Sequence, residues 1–451
     1  MALGRREGKQ AEMWVAGTDL PRSPGHRFYE KLNELLDEAE FDRQVEELCR
    51  PFYDDGQGRP SIPPGVYFRM LIVGYFEGLG AQRAIAWKCA DSLSIRSFLG
   101  LALSEAAPEH SSLTRIRKRL PLAVHVQAFT IILELARHKG LLRGKTLAVD
   151  ATTLEANAAM KSMVHRVSGE DWKAYLRRLA KAEGIEDPSD EELRRFDRRR
   201  KGKKVSNAEW QSATDADARI AKMKDGRTHF AYKAEHAVDV ESGVIVAAQM
   251  YTADDPDGDT VLVTVEAARE QLVAVESPKQ VEEVLGDKGY HKAESLAGLH
   301  EVHEVRTYIP EQKRKGRRRW RDKDAGQQAA VYANRRRCAG RRGRALSRLR
   351  SEYAERSFAH TCETGGARRS WLRGLTDVAK RYWITAGAHN LGVLMRALYH
   401  VGTPRSLQGA LAALCLVLFA LWGRLTRVAN RFPHSARTEA PTGSLVPRAA
   451  T

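Results

Sequence analysis

His229-Phe-Ala-Tyr-Lys-Ala-Glu-His-Ala-Val-Asp239 alternates its side chains as a β-strand does, Glu241-Ser-Gly243 supplies a turn, and Val244 to Tyr251 returns as a second strand. Upstream of this hairpin, Lys145-Thr-Leu-Ala-Val-Asp150 is a short β-rich run that ends in an acid. Downstream, the pattern predicts a helix from about Asp259 to Leu272 and a buried strand from Val281 to Leu285, ending at Gly286-Asp287. A crossover helix near Lys292 to Leu299 then leads to a strand over Glu304 to Ile309. Hairpin strands followed by strand–helix–strand units describe an α/β fold, a mixed sheet flanked by helices. Residues 155–226 are polar and charged, with no strand signal before their end, and read as a mainly helical insertion between the first two strands.

Residues 27–140 read as an all-helical domain placed to bind DNA, after a flexible stretch over 1–26. Phe28, Leu32, Leu35 and Leu36 recur at helical spacing, as do Phe41, Val45 and Leu48. Ser61, Pro63 and Pro64 mark a helix start before the apolar run Val66 to Phe76, the expected centre of a helical core. Ser111 or Ser112 is positioned to cap a helix whose inner face is Leu113, Ile116 and Leu120 and whose outer face carries Arg115, Lys118 and Arg119. A further helix from about Pro121 to Lys139 turns Val126, Phe129, Leu133 and Ala136 inward and stops at Gly140. The sheet and its helices are expected over 141–400, and a helix with a disordered tail over 401–451.

The 451 residues carry 74 Lys+Arg against 57 Asp+Glu, a formal +17, and so large an excess favours a polyanionic partner. The excess is concentrated: Lys313 to Arg350 has net charge +14 and Arg194 to Lys204 has +7, which leaves −4 for the rest. Such blocks are either solvated loops or phosphate-contacting arms, and in the second reading Arg317, Arg318, Arg319, Arg335, Arg336 and Arg337 meet the DNA backbone. The five cysteines are scattered and never form a CxxC pair, which argues against a disulfide framework or a cysteine zinc site and for a reducing, cytosolic setting. No signal peptide is expected at the N-terminus, and no membrane partner: the longest apolar run, Gly409 to Gly423, is shorter than the roughly 18–20 residues a spanning helix needs.

Asp150 and Asp287 each follow an apolar strand. Carboxylates at neighbouring strand ends converge at one sheet edge and repel unless a cation lies between them; hard oxygen ligands suit Mg²⁺ or Mn²⁺. Glu355, on a helix with Phe358 and Ala359 facing the core, supplies a third carboxylate from the side, with Glu352 as its competitor one turn away. Two ions held this way can activate a water or a 3′-hydroxyl and stabilise a phosphodiester's leaving oxygen. Asp254, Asp255, Asp257 and Asp259 read as an acidic turn that caps a helix, and His300-Glu-Val-His303 has poor spacing for a zinc pair.

GKTLAVDATTLEANAAM (144–160), TDADARIAKMKDGRTHFAYKAEHAVD (214–239), VLGDKGYH (284–291) and ERSFAHTCETGGARRSWLRG (355–374) carry a resemblance, as do SIPPGVYFRMLIVGYFEGLGAQRAIAWKCADSLSIRSFLGL (61–101) and HSSLTRIRKRL (110–120). Over residues 25 to 400 the chain resembles bacterial insertion-sequence transposases of the DDE type, with an N-terminal helical domain ahead of a retroviral-integrase-like catalytic domain. The resemblance implies an RNase H-like fold and Mg²⁺-dependent cutting and joining at the inverted repeats of an element. A water frees a 3′-OH, which then attacks target DNA. It assigns the acids to Asp150, Asp287 and Glu355, spaced by 136 and 67 residues. In related branches the glutamate lies in a tyrosine–arginine–glutamate–lysine signature; Arg348, Ser351 and Cys362 stand at the other three positions, leaving Arg350 or Arg356 as substitute phosphate contacts. It further implies double-stranded DNA as partner, a homodimer that synapses two ends, and action at the nucleoid in the bacterial cytoplasm. A structure-selective nuclease on the same fold and a decayed, DNA-binding remnant are the competing readings.

Overall fold

The computed structural model describes residues 26–54, 61–201, 206–223, 226–313, 320 and 324–405; the apolar run 409–423 and Arg317 to Arg319 lie outside them. Seven helices come first: α1 (Arg27–Glu38), α2 (Phe41–Cys49), α3 (Pro64–Phe76), α4 (Gln82–Asp91), α5 (Leu93–Phe98), α6 (His110–Arg119) and α7 (Leu122–His138). Pro63 and Pro64 start α3, where a missing N–H costs nothing, and α3 is buried along almost its whole length. Its one charge, Arg69, is satisfied by both carboxylate oxygens of Asp42 at 2.9 and 3.0 Å and by the Phe98 carbonyl at 3.1 Å. Neither Ser111 nor Ser112 caps α6: the helix begins at His110 after Glu109, which places both serines inside its first turn.

The remaining elements are β1 (Thr146–Glu155), β2 (Met163–His165), α8 (Trp172–Ala182), α9 (Asp190–Arg199), β3 (Trp210–Ser212), β4 (Arg219–Lys222), β5 (Thr228–Asp239), β6 (Ile245–Thr252), α10 (Asp257–Ala274), β7 (Glu283–Leu285), α11 (Ala293–Glu301), β8 (Arg306–Tyr308), α12 (Ala325–Ala339), α13 (Arg341–Phe358) and α14 (Leu375–Tyr399). The main sheet runs β4–β5–β1–β7–β8, with β6 also on β5. β5 pairs antiparallel with β1 and β6, whereas β7 is parallel to β1 and to β8. Four strands in antiparallel pairing, β4, β5, β6 and β1, continued by the parallel β7 and β8, with helices around them, are consistent with the RNase H-like α/β arrangement. Asparagines close the sheet at two ends: the Asn390 amide exchanges two hydrogen bonds of 2.8 Å with Ile245, and Asn334 does the same for Ile309 at 3.0 and 2.7 Å.

Three expectations need correction. First, β1 does not end at Asp150 but runs on to Glu155, because β5 pairs with it over its whole second half. Second, the insertion is not only helical: besides α8 and α9 it holds the β2–β3 ribbon, and β4 joins the main sheet. Trp210, Trp172, Tyr175 and His165 pack there as an aromatic knot with ring centroids 5.0–5.9 Å apart. Third, the described part of the basic stretch after residue 324 is helix, α12 and the start of α13, rather than loop.

The helical and sheet regions share one core, and the described residues through Pro404 form a single compact unit. The reason is α14, which lies against both α7 and β6. Trp383 meets Phe129 of α7 edge to face at 4.8 Å, and a Cβ at Gly387 would stand 2.9 Å from Ile132. Among the described residues no single helix is long and apolar enough to cross a membrane.

Candidate active site

The parallel pairing of β1 with β7 sets Ala148 beside Leu285. Asp287 lies two residues beyond the last pair of that register, near enough for its charge to act on Asp150. Side chains two apart along a strand share a face, so the Asp150 carboxylate lies on the face of Ala148, which α13 covers with Leu346 and Ala354. Arg350 is one helical turn from each of those residues and so also faces the sheet. Its Nη2 lies 2.9 Å from Asp150 Oδ2, with the two side chains 17% and 20% exposed. Arg350 Nε is buried without a hydrogen-bond partner among the described residues.

Burial pushes the Asp150 carboxyl above its usual range, and the charge of Asp287 adds to that shift; Arg350 and the Ala151 amide, which donates to Asp150 Oδ1 at 3.0 Å, oppose it. Asp287 caps a single tight turn, accepting from Gly289 N–H at 2.7 Å. A Cβ on Gly289 would stand 2.9 Å from oxygens of both Asp257 and Asp287, so a larger residue there would push these carboxylates aside.

Two networks that sequence reasoning missed hold these acids in place. His236 is the β5 partner of Asp150. Its ring stacks on Phe358 at 4.1 Å, its Nδ1 lies 3.0 Å from Ser357 Oγ, and Tyr382 OH lies 2.9 Å from its Nε2, so the end of α13 is clamped to the sheet. On the other side of β5, buried Glu235 accepts from Thr260 Oγ1 at 2.8 Å and from Tyr290 OH at 3.0 Å, which tethers the turn that follows Asp287. Lys233 donates to Thr260 Oγ1 and to the Asp255 carbonyl and pairs with Asp257 at 3.3 Å. Both residues lie in the stretch 229–239; their one sequence signal is charge at strand positions expected to be apolar. The acidic turn 254–259 is structural, as its sequence suggests: Asp257 and Asp259 occupy the first turn of α10 and pair with Lys233 and Lys292.

Glu355 is on α13 next to buried Ala354, exposed, and without an ion-pair partner among the described residues. Glu352 is taken by Arg356 at 2.6 Å. Among the described residues no three His, Cys, Asp or Glu side chains gather closely enough to hold a metal ion. Asp287 acts on Asp150 through its charge, and Arg350, on the helix that carries Glu355, meets Asp150.

Of the cationic residues, Arg115, Lys118 and Arg119 are exposed on α6, with Arg119 over the Tyr53 ring at 4.7 Å. Arg335 pairs with Glu311 at 2.6 Å, Arg336 is exposed, and Arg337 turns inward to the Thr307 carbonyl at 2.9 Å. The loop after α13 straps onto the far end of β1 through Glu155 N–H to the Arg368 carbonyl and Ser370 N–H to the Glu155 carbonyl. It presents Arg369 stacked on a half-exposed Trp371, at 4.8 Å.

Two family models match the chain: transposase domain (DUF772) over residues 19–119 and transposase DDE domain over residues 143–391. The second spans more than half of the chain. The chain belongs to the DDE transposase family. No curated protein and no solved structure matches it. The transposase domain (DUF772) match ends at the last residue of α6, so α7 falls between the two matches.

DDE transposases are DNA-cleaving enzymes that work with divalent metal ions. The residues of this transposase fit such an ion in one respect that its own geometry supplies. Asp150 and Asp287 are like charges brought together under partial burial, and the balancing charge is a guanidinium with an unpartnered buried nitrogen. A pair of carboxylates that needs a cation is the donor set a hard divalent ion takes.

Proposed function

We propose that this transposase binds the terminal inverted repeats of its mobile element as double-stranded DNA and catalyses metal-dependent cleavage and strand transfer. Asp150, Asp287 and Glu355 are the acids that hold Mg²⁺ or Mn²⁺, two ions in all. The observation that supports the reading is the pairing of Asp150 with Arg350 of α13, within reach of the Asp287 charge. When bound, the ions supply the positive charge that favours an ionised water or 3′-hydroxyl and the developing charge on the leaving oxygen. The chain's own residues do the rest. Asp150 is fixed by the β1–β5–β7 pairing and Asp287 by its turn and the Tyr290–Glu235 tether. Glu355 comes from the flank of α13. Arg350 holds Asp150 in the absence of substrate and is positioned to move to a phosphate when DNA arrives.

The exposed cations Arg115, Lys118 and Arg119 of α6, Arg336, and the segment with Arg317, Arg318 and Arg319 are proposed to track the phosphate backbone. Arg335, Arg337 and Arg356 have intramolecular partners, which supports a weaker part for them. Two element ends must be held together, so the working unit is a homodimer on DNA, at the nucleoid in the bacterial cytoplasm.

The test is cleavage of the element's own ends with Mg²⁺, alongside joining of a pre-cut end to a second duplex. Asp150→Asn and Asp287→Asn should each abolish both reactions and leave end binding in a gel-shift assay intact. Unchanged cutting would overturn the assignment. Cutting without joining would mark a nuclease, and binding without either would mark a decayed remnant.

A further inference from the structure

A cavity of about 390 Å³ opens between the β5–β6 turn, the second half of α13 and the end of α14. Asp150, Asp287 and Glu355 are not among its lining residues. Three guanidiniums line it, Arg143, Arg356 and Arg396, against one carboxylate, Glu241. Among the described residues neither Arg143 nor Arg396 has a carboxylate partner; Arg396 reaches only the Gly392 carbonyl, at 3.4 Å. Burial holds Arg396 below its usual range, and the nearby charge of Arg356 adds to the effect. The floor is His389, 2% exposed, whose Nε2 donates to the Gly243 carbonyl at 3.1 Å. Its Nδ1 has no hydrogen-bond partner among the described residues. Tyr353 adds an aromatic wall.

We propose that this cavity binds a small phosphate monoester, of the class of a nucleoside monophosphate or the 5′-phosphorylated end of a DNA strand. Arg356 is already balanced by Glu352 at 2.6 Å, so Arg143 and Arg396 against Glu241 leave the lining a net charge of +1, and the more highly charged phosphate gains most from it. A monoester carries about −1.5 to −2 at neutral pH, whereas a backbone diester carries one charge. Guanidiniums match phosphate oxygens with paired, charge-assisted hydrogen bonds. The volume lies within the range of small-ligand sites, and the tyrosine wall suits a base or sugar attached to the phosphate. His389 Nδ1, with the other ring nitrogen already donating, is left as an acceptor. A sugar hydroxyl of a bound nucleotide could donate to it.

Titration calorimetry on the full-length protein tests the assignment, with AMP, adenosine, and a dinucleotide with or without a 5′-phosphate as probes. AMP should bind and adenosine should not. Arg143→Ala and Arg396→Ala should each weaken AMP by at least about 10-fold. Arg396→Lys should recover part of that loss, which separates lost charge from lost folding. Asp287→Asn should leave AMP binding unchanged, because that carboxylate is outside the cavity. A phosphorylated dinucleotide that binds more tightly than AMP identifies the occupant as a DNA end; tighter AMP identifies it as a free nucleotide. The proposal fails if AMP gives no heat, if adenosine binds as well as AMP, or if the two alanine variants bind AMP like the parent.

Discussion

Replacing Arg350 by methionine keeps most of the side chain's length and removes its charge, leaving Asp150 beside Asp287 with no cation. The ion pair is less than one-quarter exposed on either side, so solvent screens it only in part. Removing one partner of a fully buried pair costs about 3–5 kcal/mol, and the residual solvent access here brings the expected loss to about 2–3 kcal/mol. With Arg350 gone, the two influences that raise Asp150, burial and the Asp287 charge, act with only the Ala151 amide against them. A carboxyl whose folded pKa is raised binds its proton more tightly in the native state. The variant's deficit is therefore largest above that raised value and shrinks as pH falls toward the ordinary 3.8. Divalent metal should shrink it too, since a ligand at about 100 times its Kd adds about 2.7 kcal/mol to the native state. Urea unfolding followed by circular dichroism, with and without Mn²⁺, reads all three effects. The decisive control is Asp150→Asn, in which Arg350→Met should cost far less; a coupling of about 2 kcal/mol is expected between the two sites. Additive losses, or a deficit equally large in Mn²⁺ and at low pH, would refute the idea that Arg350 stands in for a cation.

The choice of third acid is tested by pairing Glu355→Gln with Glu352→Gln in the cleavage assay: the first should abolish cutting, and the second, which frees Arg356 on the surface, should leave most of it. Among buried histidines, His125 is pushed down to about 4 by burial and stays neutral between Tyr67 OH at 3.0 Å and the Pro121 carbonyl at 3.1 Å. Its unfolded form takes a proton below about 6.5, so its contribution is complete above that pH and declines by about 3 kcal/mol as pH falls to 4. Urea midpoints of the wild type and His125→Gln should converge over that window, and a pH-independent gap would show that the imidazole does not titrate on unfolding. For α6, the triple change of Arg115, Lys118 and Arg119 to alanine should lower the salt slope of end binding by about 2–3, near 0.9 per lost phosphate contact. An unchanged slope, measured by fluorescence anisotropy between low and moderate salt, would remove this face from the DNA path.

Much of the site was legible because strand alternation is a local signal. Asp150 and Asp287 each follow an apolar run, and the placement of those runs side by side follows from strand–helix–strand connectivity. The end of β1 was not legible, since an acid reads as a terminator when its cross-strand partner is unknown. It is β5, about eighty residues later, that keeps Ala151 to Glu155 extended. The three-residue strands β2 and β3 are too short to show any period, and their aromatic knot joins residues from 165 to 210. The basic stretch is ambiguous for another reason. Its charges read as solvated or as phosphate contacts, and in the structure Arg342 neutralises Glu283, a fully buried carboxylate, at 2.6 Å, while Arg337 is tied to Thr307. A cation's partner is a tertiary fact, and composition cannot separate a phosphate contact from a structural one.

The arrangement of α13 explains how one helix can serve both the fold and the proposed chemistry. Its inner row, Leu346, Arg350, Ala354 and Phe358, repeats every four residues and crosses the sheet from β7 to β5. Three members are apolar and fix the helix to the sheet; the fourth is charged and falls where Asp150 rises from β1. The row needs a small residue at 354, since Ala354 is fully buried against Ala148 and Leu285, and closeness there brings Arg350 within hydrogen-bond distance of a mid-strand carboxylate. Glu355 is the next residue along, turned about 100° from the inner row and free of the pairing that occupies Glu352. Packing fixes that inner row on the sheet, so in the proposed function Glu355 would reach the aspartates from the flank of α13, beside Arg350. Three carboxylates there would repel without added cations, so the proposed metal, Arg350 and Glu355 would share one charge balance.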